Sequence, residues 1–180
     1  MFLVITGAIS SGKSTLLEKL VNALSKQYRI GGLITKGQER RFFLDIKSRK
    51  KEYFSSEEDE DGERIGKYFL SRRSLDFAFS VIKESKNNDI IIVDEIGRLE
   101  KEKKGLYGAI ESLLNDVKTD VKIIILVIRK DLLQELLKLF NIRPAEIWEV
   151  KHSTKDSVLS NLIECIKNEI IKIEGGRAVS

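Results

Sequence analysis

Gly7-Ala8-Ile9-Ser10-Ser11-Gly12-Lys13-Ser14, followed by Thr15, reads GxxxxGK[ST] without a mismatch. In this pattern the glycines let the backbone fold tightly, so that successive N–H groups and the positive end of the following helix point at a bound anion. Lys13 is expected to reach the β- and γ-phosphate oxygens, and the Ser14 hydroxyl to bind Mg²⁺. The flanks agree with the motif. Residues 2–6 form a short apolar run with the pattern of a strand buried on both faces. Residues 13–27 carry Leu16, Leu17, Leu20, Val21 and Leu24 at helical spacing. Strand, loop and helix in that order are the context that the motif requires, and Gly7, Ala8, Ile9, Ser10, Ser11, Gly12, Lys13, Ser14 and Thr15 become the expected phosphate-binding residues.

Outward from the loop, residues 30–36 read as a second strand, opened by Gly31 and Gly32. Residues 41–55 alternate in hydropathy around a basic turn at 47–51, which predicts a β-hairpin. The acidic stretch 56–63 reads as a surface loop, 66–70 as one more strand and 74–85 as a helix through Phe77, Val81 and Ile82. Apolar strands are expected at 89–93 and 122–128, with helices at 106–117 and 131–140. A short strand at 146–150 precedes a long amphipathic helix at 156–173, built on Val158, Leu162, Ile166, Ile170 and Ile173. Apolar strands alternating with helices imply an α/β fold, a mostly parallel sheet with helices on both faces and a β-hairpin insertion.

Ile90-Ile91-Ile92-Val93-Asp94-Glu95 places two carboxylates at the carboxyl end of a buried strand, the edge where ligands bind in such sheets. Asp94 is the candidate for the Mg²⁺ shell. Glu95 is the candidate base that orients and deprotonates an attacking water in line with the γ-phosphate. A water-activating base favours hydrolysis, whereas a kinase acting on a nucleotide, nucleoside or polynucleotide would have to exclude water. A cation should offset charge developing on the γ-phosphate, and Arg98 and Arg129 are the candidates. Arg40 and Arg41, ahead of the hairpin, rank below them.

The remaining composition sets limits. With 180 residues, one domain spanning 1–180 is expected. Charged residues make up 33% and hydrophobic ones 42%, enough apolar material for a core and too much for a disordered chain. The 32 Lys and Arg against 28 Asp and Glu leave a net charge of +4, spread along the chain, with basic runs such as 101–104 interrupted by acids. That permits a nucleic-acid-associated nucleotide switch without requiring one. Cys165 is the sole cysteine, which excludes an internal disulfide and a cysteine-based zinc site and suits a reducing cytoplasm. The longest apolar run, 123–128, is far short of a membrane span, and the start lacks the basic region of a signal peptide. A monomer is expected. His152 reads as an exposed loop histidine, and Trp148 and Cys165 as packing residues.

Asp94-Glu95-Ile96-Gly97-Arg98-Leu99-Glu100 resembles the DEIG-x-[ML]-E segment of the small nucleoside-triphosphatase family that includes the cancer-related nucleoside-triphosphatase and its archaeal and bacterial counterparts. Gly32-Leu33-Ile34-Thr35 and Gly66-Lys67-Tyr68 are similar too, so the resemblance extends along the chain. It implies a RecA-like sheet and Mg²⁺-dependent hydrolysis of nucleoside triphosphates to the diphosphate and phosphate, with broad base tolerance. Two segments depart from the family pattern. The stretch 37–43 is short and lacks a second glycine. Where the family tends to V-T-x-x-N-R-D, this chain has Val150-Lys151-His152-Ser153-Thr154-Lys155-Asp156, and Lys155 cannot make the planar bidentate contacts of an arginine.

Overall fold

A computed structural model of the chain describes residues 1–37, 39–55, 62–116 and 121–177. Its main sheet has seven strands. In chain order these are β1 (Phe2–Gly7), β2 (Ile30–Lys36), β3 (Phe42–Asp45), β4 (Lys51–Tyr53), β7 (Ile90–Ile96), β8 (Ile123–Arg129) and β9 (Glu146–Glu149), and across the sheet they run β4-β3-β2-β7-β8-β1-β9. The five strands β2, β7, β8, β1 and β9 pair in parallel, while β3 and β4 add an antiparallel hairpin at one edge. A separate two-stranded sheet joins β5 (Glu63–Ile65) to β6 (Tyr68–Leu70).

The unbroken apolar runs of the central strands follow from burial on both faces. Leu3 and Ile5 of β1, Ile90 and Ile92 of β7, and Ile123, Ile125 and Val127 of β8 meet α1 (Lys13–Leu24) and α6 (Lys155–Arg177). The alternate residues Val4, Ile91, Val93, Ile124, Leu126 and Ile128 meet α2 (Arg72–Glu84), α4 (Tyr107–Asn115) and α5 (Leu133–Leu139). A strand covered on both sides has no polar positions to alternate with, which is why its sequence reads as continuous isoleucine and valine. Here the mostly parallel sheet, its two helical layers and the hairpin insertion are as expected from the sequence, and the strand order places β8 between β7 and the strand that leads into the phosphate loop.

The departures are local. The acidic loop was expected to reach residue 63, but Glu63 begins β5; residues 56–61 lie outside the described residues, as do Gln38 in the short stretch after β2 and Val117 at the expected end of a helix. Residues 66–70 are a turn and a strand, because Gly66 takes a left-handed φ of 64° that closes the β5–β6 hairpin. A short helix, α3 (Arg98–Lys101), follows β7 directly and carries no apolar periodicity long enough to announce it. Among the described residues no helix is long and apolar enough to cross a membrane.

Candidate active site at the carboxyl edge of the sheet

β1 ends in Gly7, and the chain loops through residues 8–12 into α1. Ser10 at φ 60° and Gly12 at φ 93° give the loop its left-handed turns. The first turn of α1 has no side-chain cap, whereas α2 is capped by Ser71, whose Oγ accepts from Ser74 N at 3.2 Å. The leading N–H groups of α1 are therefore left to bind an anion. The Lys13 ammonium lies inside the loop and donates to the carbonyls of Ala8 at 2.7 Å and Gly7 at 3.1 Å. Burial lowers its pKa, against the opposing pull of Asp94 and Glu95, and Arg129 adds to the lowering.

Asp94 reaches the loop from β7. Ser14 Oγ donates to Asp94 Oδ2 at 3.3 Å, and Thr35 N donates to the same oxygen at 3.2 Å. The Thr35 hydroxyl donates to the Asp94 carbonyl at 2.9 Å, so the end of β2 fixes both ends of this residue. Asp94 is only 2% exposed. Burial, with Glu95 beside it, pushes its carboxyl up to about 7, against the hydrogen bonds from Thr35 and Ser14 and the charge of Lys13. A buried carboxylate and a serine hydroxyl facing one another are hard oxygen donors of the kind Mg²⁺ takes, and a divalent cation would relieve the crowded negative charge.

Glu95 sits where the register of β7 against β8 slips by one residue, so that Asp94 pairs with Val127 and Ile96 with Ile128. A bulge of this kind re-aims a side chain, and here the Glu95 carboxylate meets the guanidinium of Arg41 in an ion pair. From sequence alone Arg41 ranks below Arg98 and Arg129. Lys36 pairs with Phe42 where β2 turns back into β3, and this connection delivers Arg41 to the carboxyl end of β7. A hairpin expected directly after a parallel strand was the signal available.

Arg129, at the end of β8, lays its side chain against Gly97 and donates to Asp131 at 3.0 and 2.8 Å. It is 23% exposed and its charge is felt at Lys13. Arg98 opens α3 and is exposed, and its side chain forms no hydrogen bond or ion pair among the described residues. Arg129 thus lies near enough to the loop for its charge to act on Lys13, and Arg98 faces solvent. In the sequence Glu100 stands out only as the last residue of the Asp94–Glu100 segment. It is 4% exposed and accepts from Gly97 N at 2.7 Å and Leu106 N at 2.9 Å, tying the segment after Glu95 to the start of α4.

On the other side of β1 the chain after β9 backs onto both ends of the phosphate loop. A Cβ on Gly7 would lie 2.6 Å from the Val150 carbonyl, and one on Gly12 would lie 3.1 Å from Lys155 Cδ. His152 is exposed, while Trp148 and Cys165 pack against the core shared with α1 and α6.

The chain has relatives of known sequence and structure. Nucleoside-triphosphatase THEP1 of Picrophilus torridus is 26% identical over 174 residues, covering 92% of this chain and 95% of the relative. The same-named protein of Thermotoga maritima is 27% identical over 174 residues, covering 93% and 96%. The solution structure of a human cancer-related nucleoside triphosphatase superposes with a TM-score of 0.71 at 19% identity, over 93% of this chain and 97% of that one. The crystal structure of THEP1 from Aquifex aeolicus gives 0.65 at 24% identity, over 92% and 99%. Both structures share the fold. The NTPase family matches residues 2–163, taking in the phosphate loop, Asp94, Glu95 and Arg129 together, and the chain belongs to that family.

Proposed function

We propose that the chain, as one domain, hydrolyses nucleoside 5′-triphosphates with broad base tolerance to the diphosphate and phosphate, using Mg²⁺. The observation that carries this reading is the 3.3 Å contact between Ser14 Oγ and Asp94 Oδ2, with Glu95 next in the chain. Ser14 and Asp94 would hold the ion. When bound, Mg²⁺ offsets charge on the β- and γ-phosphoryl oxygens. The N–H groups of the loop and the first turn of α1 bind the phosphates, and Lys13 turns its ammonium from the Gly7 and Ala8 carbonyls to the β- and γ-oxygens. Glu95 orients the water and takes its proton. Arg129, on the same edge, offsets charge at the γ-phosphate, with Arg98 further out on α3 and Arg41 bonded to the base itself. The lone Cys165, half-buried against the core, suits a reducing cytoplasm.

Phosphate release from ATP, GTP, CTP and UTP, with Mg²⁺ and with chelator, tests this reading. Release with all four, dependent on the cation and lost in Lys13→Ala, is expected. No release above background with any of them would end the hydrolase reading. Triphosphate consumption strictly dependent on an added acceptor would favour a kinase instead.

A further inference from the structure

The sheet order gives the phosphate loop a direction. Asp94 and Glu95 at the end of β7 and Arg129 at the end of β8 all lie on one side of β1, and β9 is its neighbour on the other. A triphosphate whose terminal group faces Glu95 therefore leads its nucleoside toward the segment after β9. That segment hugs the loop. Val150 N donates to Thr6 O at 2.8 Å, the Val150 carbonyl closes on Gly7, and five residues later the Lys155 side chain closes on Gly12.

Lys155 is half-buried, and among the described residues its ammonium forms no hydrogen bond or ion pair, though its charge is felt at the next residue, Asp156. Its neighbour Asp156 is engaged elsewhere: Lys19 of α1 donates to Asp156 at 2.9 Å and pins the first turn of α6 to α1. The stem of Lys155 is thus seated against Gly12 while its ammonium keeps its donors. A cation held at a phosphate loop with no hydrogen-bonded protein partner is matched by a phosphate oxygen.

We propose that Lys155 is a second phosphate-binding lysine, which grips the nucleoside-side phosphates of the bound nucleotide from the flank opposite Glu95. The inference rests on the hydrolase reading for what occupies the loop. Because the contact is made with phosphates that are not transferred, Lys155 contributes to binding the substrate and its transition state alike, and it holds a nucleoside diphosphate as well as a triphosphate.

Lys155→Met is the decisive variant, since methionine keeps an unbranched stem against Gly12 and removes only the charge. Titration calorimetry with ADP, which needs no chemistry, should show affinity reduced about 10- to 100-fold, the range for a hydrogen bond to a charged group. Lys155→Arg should recover most of it. In steady-state hydrolysis of ATP, KM should rise by a similar factor while kcat stays within about twofold. ADP affinity of Lys155→Met equal to wild type would overturn the proposal, and so would a collapse of kcat at unchanged ADP affinity, which would move Lys155 to the reacting end. A wild-type chain that binds ADP but releases no phosphate would sink the hydrolase reading alone, and the calorimetric comparison would still decide the role of Lys155.

Discussion

Arg41 and Glu95 are bonded to one another across the carboxyl edge of the sheet, one from the hairpin after β2 and the other from the bulge of β7. The guanidinium also lies over the Phe54 ring at 5.7 Å, so it is held on two sides. A carboxylate that must orient water needs a fixed direction. Arg41→Ala is expected to lower kcat about 10- to 100-fold with little change in KM, and steady-state kinetics check it. A rise in kcat would show that Arg41 restrains Glu95 instead.

Asp94 gives a pH dependence of stability whose sign can be worked out. Its folded-state pKa of about 7 lies above the ordinary carboxyl value of 3.8, chiefly because it is buried. Between those values the folded chain holds a proton that the unfolded chain has lost, so this residue costs stability increasingly as pH rises from about 4 to about 7, and no further above. Asp94→Asn removes the effect. Melted in the presence of chelator, Asp94→Asn should gain on wild type across that interval and level off beyond it, while losing hydrolysis. A constant difference from pH 4 to 8 would contradict the assignment.

Glu100 supports the site from behind. Glu100→Ala leaves the buried N–H groups of Gly97 and Leu106 without their acceptor, at a cost of about 3 kcal/mol in denaturant unfolding. Because Gly97 lies two residues past Glu95, kcat should fall as well. An unchanged unfolding midpoint would show that water replaces the carboxylate.

Gly32 tests the sheet. Its φ of 110° and the backbone of Ile92, which would stand 1.9 Å from an added Cβ, leave no room for alanine between β2 and β7. Gly32→Ala should destabilise the fold by about 4 kcal/mol or more, read from denaturant unfolding. Retention of wild-type stability would mean that β2 pairs differently.

Much of this was legible in the sequence, for physical reasons that can be named. The phosphate loop has a fixed spacing because the backbone must wrap an anion, and the isoleucine runs of β7 and β8 announce strands buried twice over. Asp94 and Glu95 could be placed at the ligand edge because they end such a run. What stayed hidden was pairing across the chain. The ion pair of Arg41 with Glu95 spans 54 residues, and it depends on how β2 turns into β3 and on a one-residue slip in β7. Lys155 meets Gly12 because β9 lies beside β1, a pairing that periodicity along a single strand does not encode.

The central claim is that Glu95 activates water against a triphosphate held by the phosphate loop. Single-turnover phosphate release by wild type and Glu95→Gln, with ATP binding measured in parallel, tests it most directly. The expected result is a rate about 100- to 10,000-fold lower in Glu95→Gln with ATP affinity retained. Equal rates in the two proteins would contradict it.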